Sequence, residues 1–332
     1  MLREAQNTLD ITVVTPTFNR AKLVTRALES VRSQFRPPAS IIVVDDASSD
    51  GTPDVVRRWA TETGFPVTVE VLQQNGGPAK ARNRGIELAN TEYVAFLDSD
   101  DEHLPNTLAR LVAPLERLPD AVLSFADATV ITPSDLEPHG LFRPHIDLDA
   151  ATEPLFLDGL EVHALREATS TLLKASIIPT SGTCFRRHAA LAAGLMPHDF
   201  RSGEDWLFWL RLAGQGRFVF QLDDLVRHHR HDDNLTHPRA SEFIAREKLR
   251  GFLALLDGSM RVSLTPEETN RARRLAKQCQ ANWLYHLSRL GMRPYLSGLQ
   301  SDVGKQIGGG YGRILSDPRS FLRSIACSLL RP

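Results

Sequence analysis

Apolar positions along this chain fall into short runs separated by amphipathic stretches. Ile11–Val14 is a β-branched run that leads into the polar residues Thr15-Pro16-Thr17-Phe18-Asn19-Arg20. Leu23, Ala27, Leu28 and Val31 then recur at helical spacing. Ile41–Val44 is a second strand-like run, and it enters Asp45-Asp46-Ala47-Ser48-Ser49-Asp50-Gly51-Thr52 before a helix from about Pro53 through Trp59. Val67–Leu72 predicts a third strand. Asn75-Gly76-Gly77-Pro78 follows, and then a helix carrying Lys80, Arg82, Asn83 and Arg84. Tyr93–Leu97 is a fourth strand and delivers Asp98-Ser99-Asp100-Asp101. Strands that alternate with helices predict an α/β fold, a mixed and mostly parallel sheet flanked by helices. In such sheets ligands bind beyond the carboxyl ends of the strands, where Thr15–Arg20, Asp45–Asp50 and Asp98–Asp101 would gather.

Three carboxylates within four residues raise one another's pKa and resist joint ionisation, unless a cation relieves the repulsion. Oxygen-only ligands suit Mg²⁺ or Mn²⁺, which commonly bridge a protein carboxylate to substrate phosphates. The competing reading of Asp98–Asp101 is a solvated turn after a strand, and Asp101 could simply begin the helix that Pro105 also marks. The glycine-rich G-x-G-T-R loop of sugar nucleotidyltransferases is missing after the first strand, and so is a dinucleotide-binding G-x-G-x-x-G.

The ordered set T-P-T-F-N-R, V-V-D-D-A-S-S-D-G-T, N-G-G-P-A-K-A-R-N-R-G, F-L-D-S-D-D, G-E-D-W-L-F-W-L-R-L and R-H-D-D-N-L-T resembles the family 2 glycosyltransferases, from about Asp10 to Thr236. That resemblance implies a GT-A nucleotide-sugar-binding fold and an inverting, metal-dependent transfer from a nucleotide-sugar donor to a glycan, lipid-linked or other hydroxyl. UDP-sugars are the default donor, with GDP- and dTDP-sugars not excluded. It implies donor contacts from Thr15, Pro16, Thr17, Asn19, Arg20, Asp46, Gly77, Arg82, Asp98, Ser99, Gly182 and Glu204. Mn²⁺ or Mg²⁺ would be held by Asp100 and His231, and Asp205 would act as general base. In the resemblance Asp46 takes hydrogen bonds from the nucleobase, Arg82 meets the donor's phosphates, and Asp98 orients the ribose or a water. Each residue has a plainer role as well. Thr15 and Thr17 could cap a strand-to-helix turn, and Asp50 could cap the next helix. Arg82 could lie on an exposed helical face, and Ser202 with Asp205 could form a capping box. The register of the cluster Arg227-His228-His229-Arg230-His231 is open by a residue or two. A non-catalytic nucleotide-sugar-binding module is the alternative function.

Residues 126–179 match the pattern least and show no clean period, so this insert is expected to build the acceptor pocket. The first 240 residues form the expected catalytic domain, and 241–332 a helical extension. In that extension Thr265-Pro266-Glu267-Glu268 predicts a capped helix start and Gly291 a stop. A last helix after Asp317-Pro318 places Phe321, Leu322, Ile325, Leu329 and Leu330 along one side, with Arg319, Arg323 and Arg331 elsewhere. It would serve docking, homo-oligomerisation or peripheral membrane contact.

The formal net charge of −1 over 332 residues gives no bulk attraction for nucleic acid. Cys184, Cys279 and Cys327 are isolated and odd in number, which fits a reducing compartment rather than a disulfide framework. The first residues lack the apolar core of a signal peptide, and no stretch approaches the roughly 20 apolar residues of a membrane span. The expected location is cytoplasmic, with peripheral contact at the inner face of the membrane left open.

Overall fold

The structure, a computed structural model, describes residues 8–132, 136–142, 145–230, 241–308 and 317–330. The chain forms two compact units, 1–231 and 232–332.

The first unit is built on one mixed sheet. Its strands are β1 (Leu9–Thr17), β2 (Pro38–Asp45), β3 (Val67–Val71), β4 (Tyr93–Phe96), β5 (Glu102–His103), β6 (Ala121–Ile131), β7 (Leu136–Gly140), β8 (Thr152–Leu157), β9 (Leu160–Leu165), β10 (Thr183–Arg186) and β11 (Arg217–His229). The spatial order is β3-β2-β1-β4-β10-β6-β11-β9-β8, with β5 on β11 and β7 on β6. From β3 to β4 every neighbour is parallel, as the strand–helix alternation predicts. Beyond β4 the expectation of a mostly parallel sheet gives way. β10 runs antiparallel to both β4 and β6, β9 runs antiparallel to β8 and β11, and only β6 and β11 are parallel. The physical reason is local in one case: the Leu157 to Leu160 connection is the two-residue turn Asp158-Gly159, both at positive φ, which joins only antiparallel strands.

Register places the candidate site. Thr17 pairs with Asp45, and Val14 pairs with Phe96, so β1, β2 and β4 end at the same edge. The apolar strand residues Ile11, Val13, Ile41, Val43 and Ala95 are fully buried in a core shared with the helix residues Val24, Leu28 and Val56. Helix α1 (Val24–Arg32) and helix α2 (Thr52–Thr63) each follow a strand as expected. Helix α3 (Pro78–Leu88) lies close on β1, because Gly85 has no side chain: a Cβ there would sit 2.2 Å from Val14 Cγ1. That approach sets Arg82, one turn earlier, against the strand ends.

The second unit contains helices α9 (Ser241–Leu256), α10 (Pro266–Arg289), α11 (Met292–Gln300), α12 (Asp302–Gln306) and a last helix, Pro318–Leu330. In the first unit α4 is Thr107–Arg117, α5 Leu148–Ala151, α6 Ala168–Lys174, α7 Arg187–Ala192 and α8 Glu204–Leu212. The capping box at Thr265 and Glu268 forms as predicted. Leu249, Trp283, Leu284, Leu287, Tyr295 and Leu299 make a separate core. The last helix forms as predicted, with Phe321 packed against this core. Ser320 and Ser324 are its buried positions, while Leu322 and Leu329 are 63% and 80% exposed. Among the described residues no helix is long and apolar enough to cross a membrane.

Candidate active site

At the end of β1 the chain stays extended through Thr17, so Thr15-Pro16-Thr17 is strand rather than the turn the motif suggested. Thr17 Oγ1 donates to Asp45 Oδ1 at 2.9 Å, and the Ser48 amide donates to Asp45 Oδ2 at 2.8 Å. The first acid of the pair is thereby occupied in shaping the loop. Asp46 is buried, and its carboxylate takes the Gly76 and Gly77 amides at 2.7 Å each. It clamps the glycine loop that starts α3. A carboxylate offers about four acceptor sites, so Asp46 keeps capacity for a further donor such as a nucleobase N–H. Thr15 Oγ1 is buried and has no hydrogen-bond partner in the structure. Such an orphan beside Asp46's strand is a polar atom awaiting a ligand or water. Asn19, at φ 53°, gives its amide to Ser48 Oγ and receives the Ser49 amide on Oδ1. Arg20 sends its amide to Thr52 Oγ1 and its guanidinium to within 3.7 Å of Asp100. Asp50 accepts the Thr52 amide, although the cap position itself is Gly51.

The four residues after β4 divide their work. Asp98 Oδ1 takes Arg82 Nη2 at 2.6 Å. Burial pushes the Asp98 carboxyl up, its acidic neighbours add to this, and Arg82 opposes it. Ser99 is buried. Asp100 is partly exposed, near Arg20, and its carbonyl receives Arg26 Nη2 at 2.6 Å. Asp101 does not begin a helix: it leads into β5, which pairs with β11. It is almost fully buried and accepts from Ser181 Oγ at 2.6 Å, the His229 amide at 3.1 Å and His228 Nδ1 at 3.2 Å. Burial pushes Asp101 up, but those donors outweigh it and hold the carboxyl below its usual range. Burial lowers His228 as well, yet Asp101 wins and the imidazole is raised. The two side chains meet across 127 residues of chain and form an ion pair when His228 is protonated.

Arg82 is buried between two acids, with Nη2 on Asp98 and Nη1 3.2 Å from Glu204 Oε1. It is a strut inside the site rather than a cation on an exposed helical face. Burial disfavours its charge, but the surrounding carboxylates overcome that and raise it. Glu204 is also buried, and burial with the adjacent Asp205 pushes its carboxyl up to about 7 despite Arg82. The capping-box alternative for Asp205 is not realised. The α8 cap residue is Gly203, in the left-handed region at φ 77°, and no side chain caps the helix. Asp205 instead receives Thr180 Oγ1 at 3.0 Å and the Trp206 amide at 2.7 Å. It stands partly exposed in the first helical turn, where the helix dipole favours negative charge. Trp206 is buried with its indole N–H on the Leu172 carbonyl.

The turn Thr180–Gly182 is the piece the motifs located only in part. It is one turn of 3₁₀ helix whose three residues face three directions. Thr180 holds Asp205, while Ser181 takes the Asp98 amide and donates to Asp101. The Ser181 carbonyl also accepts from His103 Nε2 at 2.7 Å, and burial lowers that imidazole to about 4, so it stays neutral. Gly182 permits a close approach, but its close neighbour is the Ala126 carbonyl, 2.8 Å from where a Cβ would sit. Thr180 escaped the sequence reading although it directly precedes Ser181-Gly182; a second hydroxyl beside that glycine was the available signal. His231, the expected second metal ligand, lies outside the described residues.

Among the described residues no three His, Cys, Asp or Glu side chains converge as a ready-made metal cage. Asp98 is engaged by Arg82, and Asp101 by Ser181 and the histidine strand, which leaves Asp100 at the open edge. This donor set fits Mg²⁺ or Mn²⁺ bound through one carboxylate and a ligand's phosphate oxygens, the habit of such ions in nucleotide sites.

Residues 12–166 match the model of glycosyl transferase family 2. The chain is 39% identical over 92 residues to the putative teichuronic acid biosynthesis glycosyltransferase TuaG of Bacillus subtilis, covering 28% of this chain and 36% of that one. It is 32% identical over 218 residues to the poly(ribitol-phosphate) beta-N-acetylglucosaminyltransferase TarS of Staphylococcus aureus, covering 65% of this chain and 34% of TarS. It thus spans about a third of the length of these curated relatives. The solved S. aureus TarS 1–349 in complex with UDP-GlcNAc superposes with a TM-score of 0.60 at 19% identity, over 90% of this chain and 88% of that one. The mannosyltransferase PcManGT from Pyrobaculum calidifontis, in complex with GDP-Man and Mn²⁺, gives 0.57 at 20% identity, over 99% and 92%. At these identities the structural likeness is one of fold.

Proposed function

We propose that the chain is an inverting GT-A glycosyltransferase, because residues 12–166 match the model of glycosyl transferase family 2. It would move a sugar from a nucleotide-sugar donor, a UDP-sugar first, to a hydroxyl of a glycan or lipid-linked acceptor. TarS solved with UDP-GlcNAc and PcManGT solved with GDP-Man support a nucleotide-sugar donor without choosing the sugar. Thr15 and Asp46 hold the nucleoside end, and Gly77 keeps the α3 loop open to it. Asp205 takes the acceptor hydroxyl's proton while that oxygen attacks the anomeric carbon in line, and the nucleoside diphosphate leaves. A Mg²⁺ or Mn²⁺ ion held by Asp100 would supply Lewis-acid neutralisation of the leaving diphosphate. Asp98, Arg82 and Glu204 form a chain of acid, base and acid, buried at Arg82 and Glu204, that keeps the base helix in place beside the carboxylates after β4.

The observation that carries this reading is the hydrogen bond from Thr180 to Asp205. It fixes the direction of Oδ2 on a partly exposed carboxylate, while Oδ1 takes the Trp206 amide of the first helical turn. A non-catalytic nucleotide-sugar-binding module has no need of a base so held. Unpaired Cys184, Cys279 and Cys327 support a reducing, cytoplasmic setting. The test is a screen of UDP-, GDP- and dTDP-sugars with Mn²⁺ for thermal shift, followed by assay of donor hydrolysis without acceptor. Stabilisation by a nucleotide sugar with slow release of the diphosphate supports the enzyme; stabilisation with no release, and no transfer to any hydroxyl, supports the binding module.

A further inference from the structure

The C-terminal unit carries charge and apolar surface that sugar transfer does not use. Residues 241–332 hold 15 Lys and Arg against 7 Asp and Glu, a formal +8, while residues 1–240 hold 24 against 33, a formal −9. The near-neutral chain therefore conceals two oppositely charged parts. Arg273, Arg274 and Lys277 on α10, Arg289 at its end, Arg293 on α11 and Arg319 on the last helix are exposed. The exposed acids among the unit's described residues are Asp257, Glu267 and Asp302, and the last two already pair with Arg271 and Lys305.

Apolar surface collects where the end of α10 meets the last helix. The Met292 amide donates to Ser328 Oγ at 2.7 Å. Arg323 lies 4.7 Å over the Tyr285 ring and 3.2 Å from Ser288 Oγ. Around that junction Tyr285, Leu290, Met292 and Leu329 are 41%, 38%, 39% and 80% exposed, with Leu322 at 63% on the stripe it shares with Arg319, Ala326 and Leu329. Five of the ten exposed large hydrophobics among the described residues thus belong to less than a third of the chain. The inward face of the last helix carries Ser320, Ser324 and Phe321, the last packed against the unit's core, while Leu322 and Leu329 lie outward. Exposed leucine, methionine and tyrosine ringed by arginine is the composition of a surface that inserts at a lipid interface, with the cations meeting anionic headgroups.

Charge decides between occupants. A second copy of this unit would bring +8 against +8 and be repelled, whereas an anionic bilayer attracts each nearby Lys or Arg by about 1 kcal/mol. We propose that the corner formed by Tyr285, Leu290, Met292, Leu322 and Leu329, with its flanking arginines, is a peripheral anchor for an anionic lipid surface. The inference goes beyond the transfer reaction and does not rest on it, since no residue of the corner belongs to the active site.

The test is co-sedimentation of the full chain with phosphatidylcholine vesicles, with and without phosphatidylglycerol. Pelleting should need phosphatidylglycerol and weaken at high salt. Leu322→Glu with Leu329→Glu, and separately Arg289→Glu with Arg293→Glu, should each lower vesicle affinity by about tenfold or more. Melting temperature and donor hydrolysis should stay as in the native chain, since all four side chains are exposed. Three results overturn the proposal: no pelleting with either vesicle, equal pelleting with both vesicles, or unchanged affinity in both double variants. Absent pelleting together with a doubled mass in light scattering, abolished by Leu329→Glu, would make the corner a protein interface instead.

Discussion

Thr180 and Asp205, 25 residues apart, are joined by a hydrogen bond of 3.0 Å from the threonine hydroxyl to the carboxylate. The bond fixes which way the proposed base faces, while Thr180 itself need not touch the sugar. Thr180→Val keeps the shape and removes the donor. It should lower kcat by about tenfold, the worth of one hydrogen bond to a charged group, with little change in donor KM. Thr180→Ser should restore most of the rate. A valine variant with native kcat, or a serine variant as poor as valine, would show that the hydroxyl does not position the base.

Asp205 and Glu204 are adjacent acids in different surroundings. Asp205→Asn should reduce transfer by about 10²–10⁴ and leave donor binding near normal, because an amide cannot take the proton. Glu204→Gln should act on stability instead. Burial raises the folded-state carboxyl from 4.5 to about 7, so the folded chain holds that proton more tightly than the unfolded chain does. Between those pH values the wild type should therefore lose stability as pH rises, by up to about 3 kcal/mol. Urea unfolding from pH 5 to 8 should show the native chain falling relative to Glu204→Gln. If Glu204→Gln instead abolishes transfer while Asp205→Asn is active, the base is the other acid.

Much of this architecture could be read from the chain because parallel strands put successive polar loops on one edge by register alone. The runs Ile11–Val14, Ile41–Val44 and Tyr93–Phe96 needed only period and β-branching to be recognised, and Thr15, Asp46 and Asp100 followed as their continuations. What escaped is made of side-chain contacts between distant segments. Asp101 looked like a helix start, yet its partners Ser181, His228 and His229 come from 80 to 128 residues away. The resemblance places Arg82 at the donor, but nothing in α3 reveals that Asp98 and Glu204 close over it. In the last helix Ser320 and Ser324 are buried, with Ser324 Oγ on the Phe321 carbonyl, and hydrophobicity alone cannot foresee that. The Asp158-Gly159 hairpin was a local signal left unread, as was Thr180 beside Ser181-Gly182.

Donor affinity should depend on a divalent cation through Asp100. The site presents Asp98, Asp100 and Asp101 together, and a diphosphate brought near them without a counter-ion would be repelled. EDTA should weaken nucleoside diphosphate binding by about tenfold or more, and Asp100→Ala should bring the cation-supplemented protein to the same level. Arg20 lies 3.7 Å from Asp100, so Asp100→Ala with Arg20→Gln guards against compensation by the released cation. Titration calorimetry that gives equal affinity with Mn²⁺ and with EDTA would remove the metal from the proposed reaction.

Gly182→Ala should damage stability and turnover together while sparing the nucleoside end. A Cβ at this position would lie 2.8 Å from the Ala126 carbonyl oxygen and 3.5 Å from Val226 Cγ2. Ala126 belongs to β6 in the middle of the sheet and cannot retreat, so the 3₁₀ turn must move instead. Overpacking of this kind costs about 1–3 kcal/mol. Moving the turn also shifts Thr180 from Asp205 and Ser181 from Asp98 and Asp101. The Thr15 and Asp46 end lies on β1 and after β2, with no hydrogen bond to the turn among those described, so binding of a nucleoside diphosphate should change little. Urea melts should show the loss of stability, and transfer measured well below the melting temperature should show a kcat decrease larger than the unfolded fraction explains. Native stability and native turnover in Gly182→Ala would mean that the turn adapts freely, and that its three residues do not act as one rigid piece.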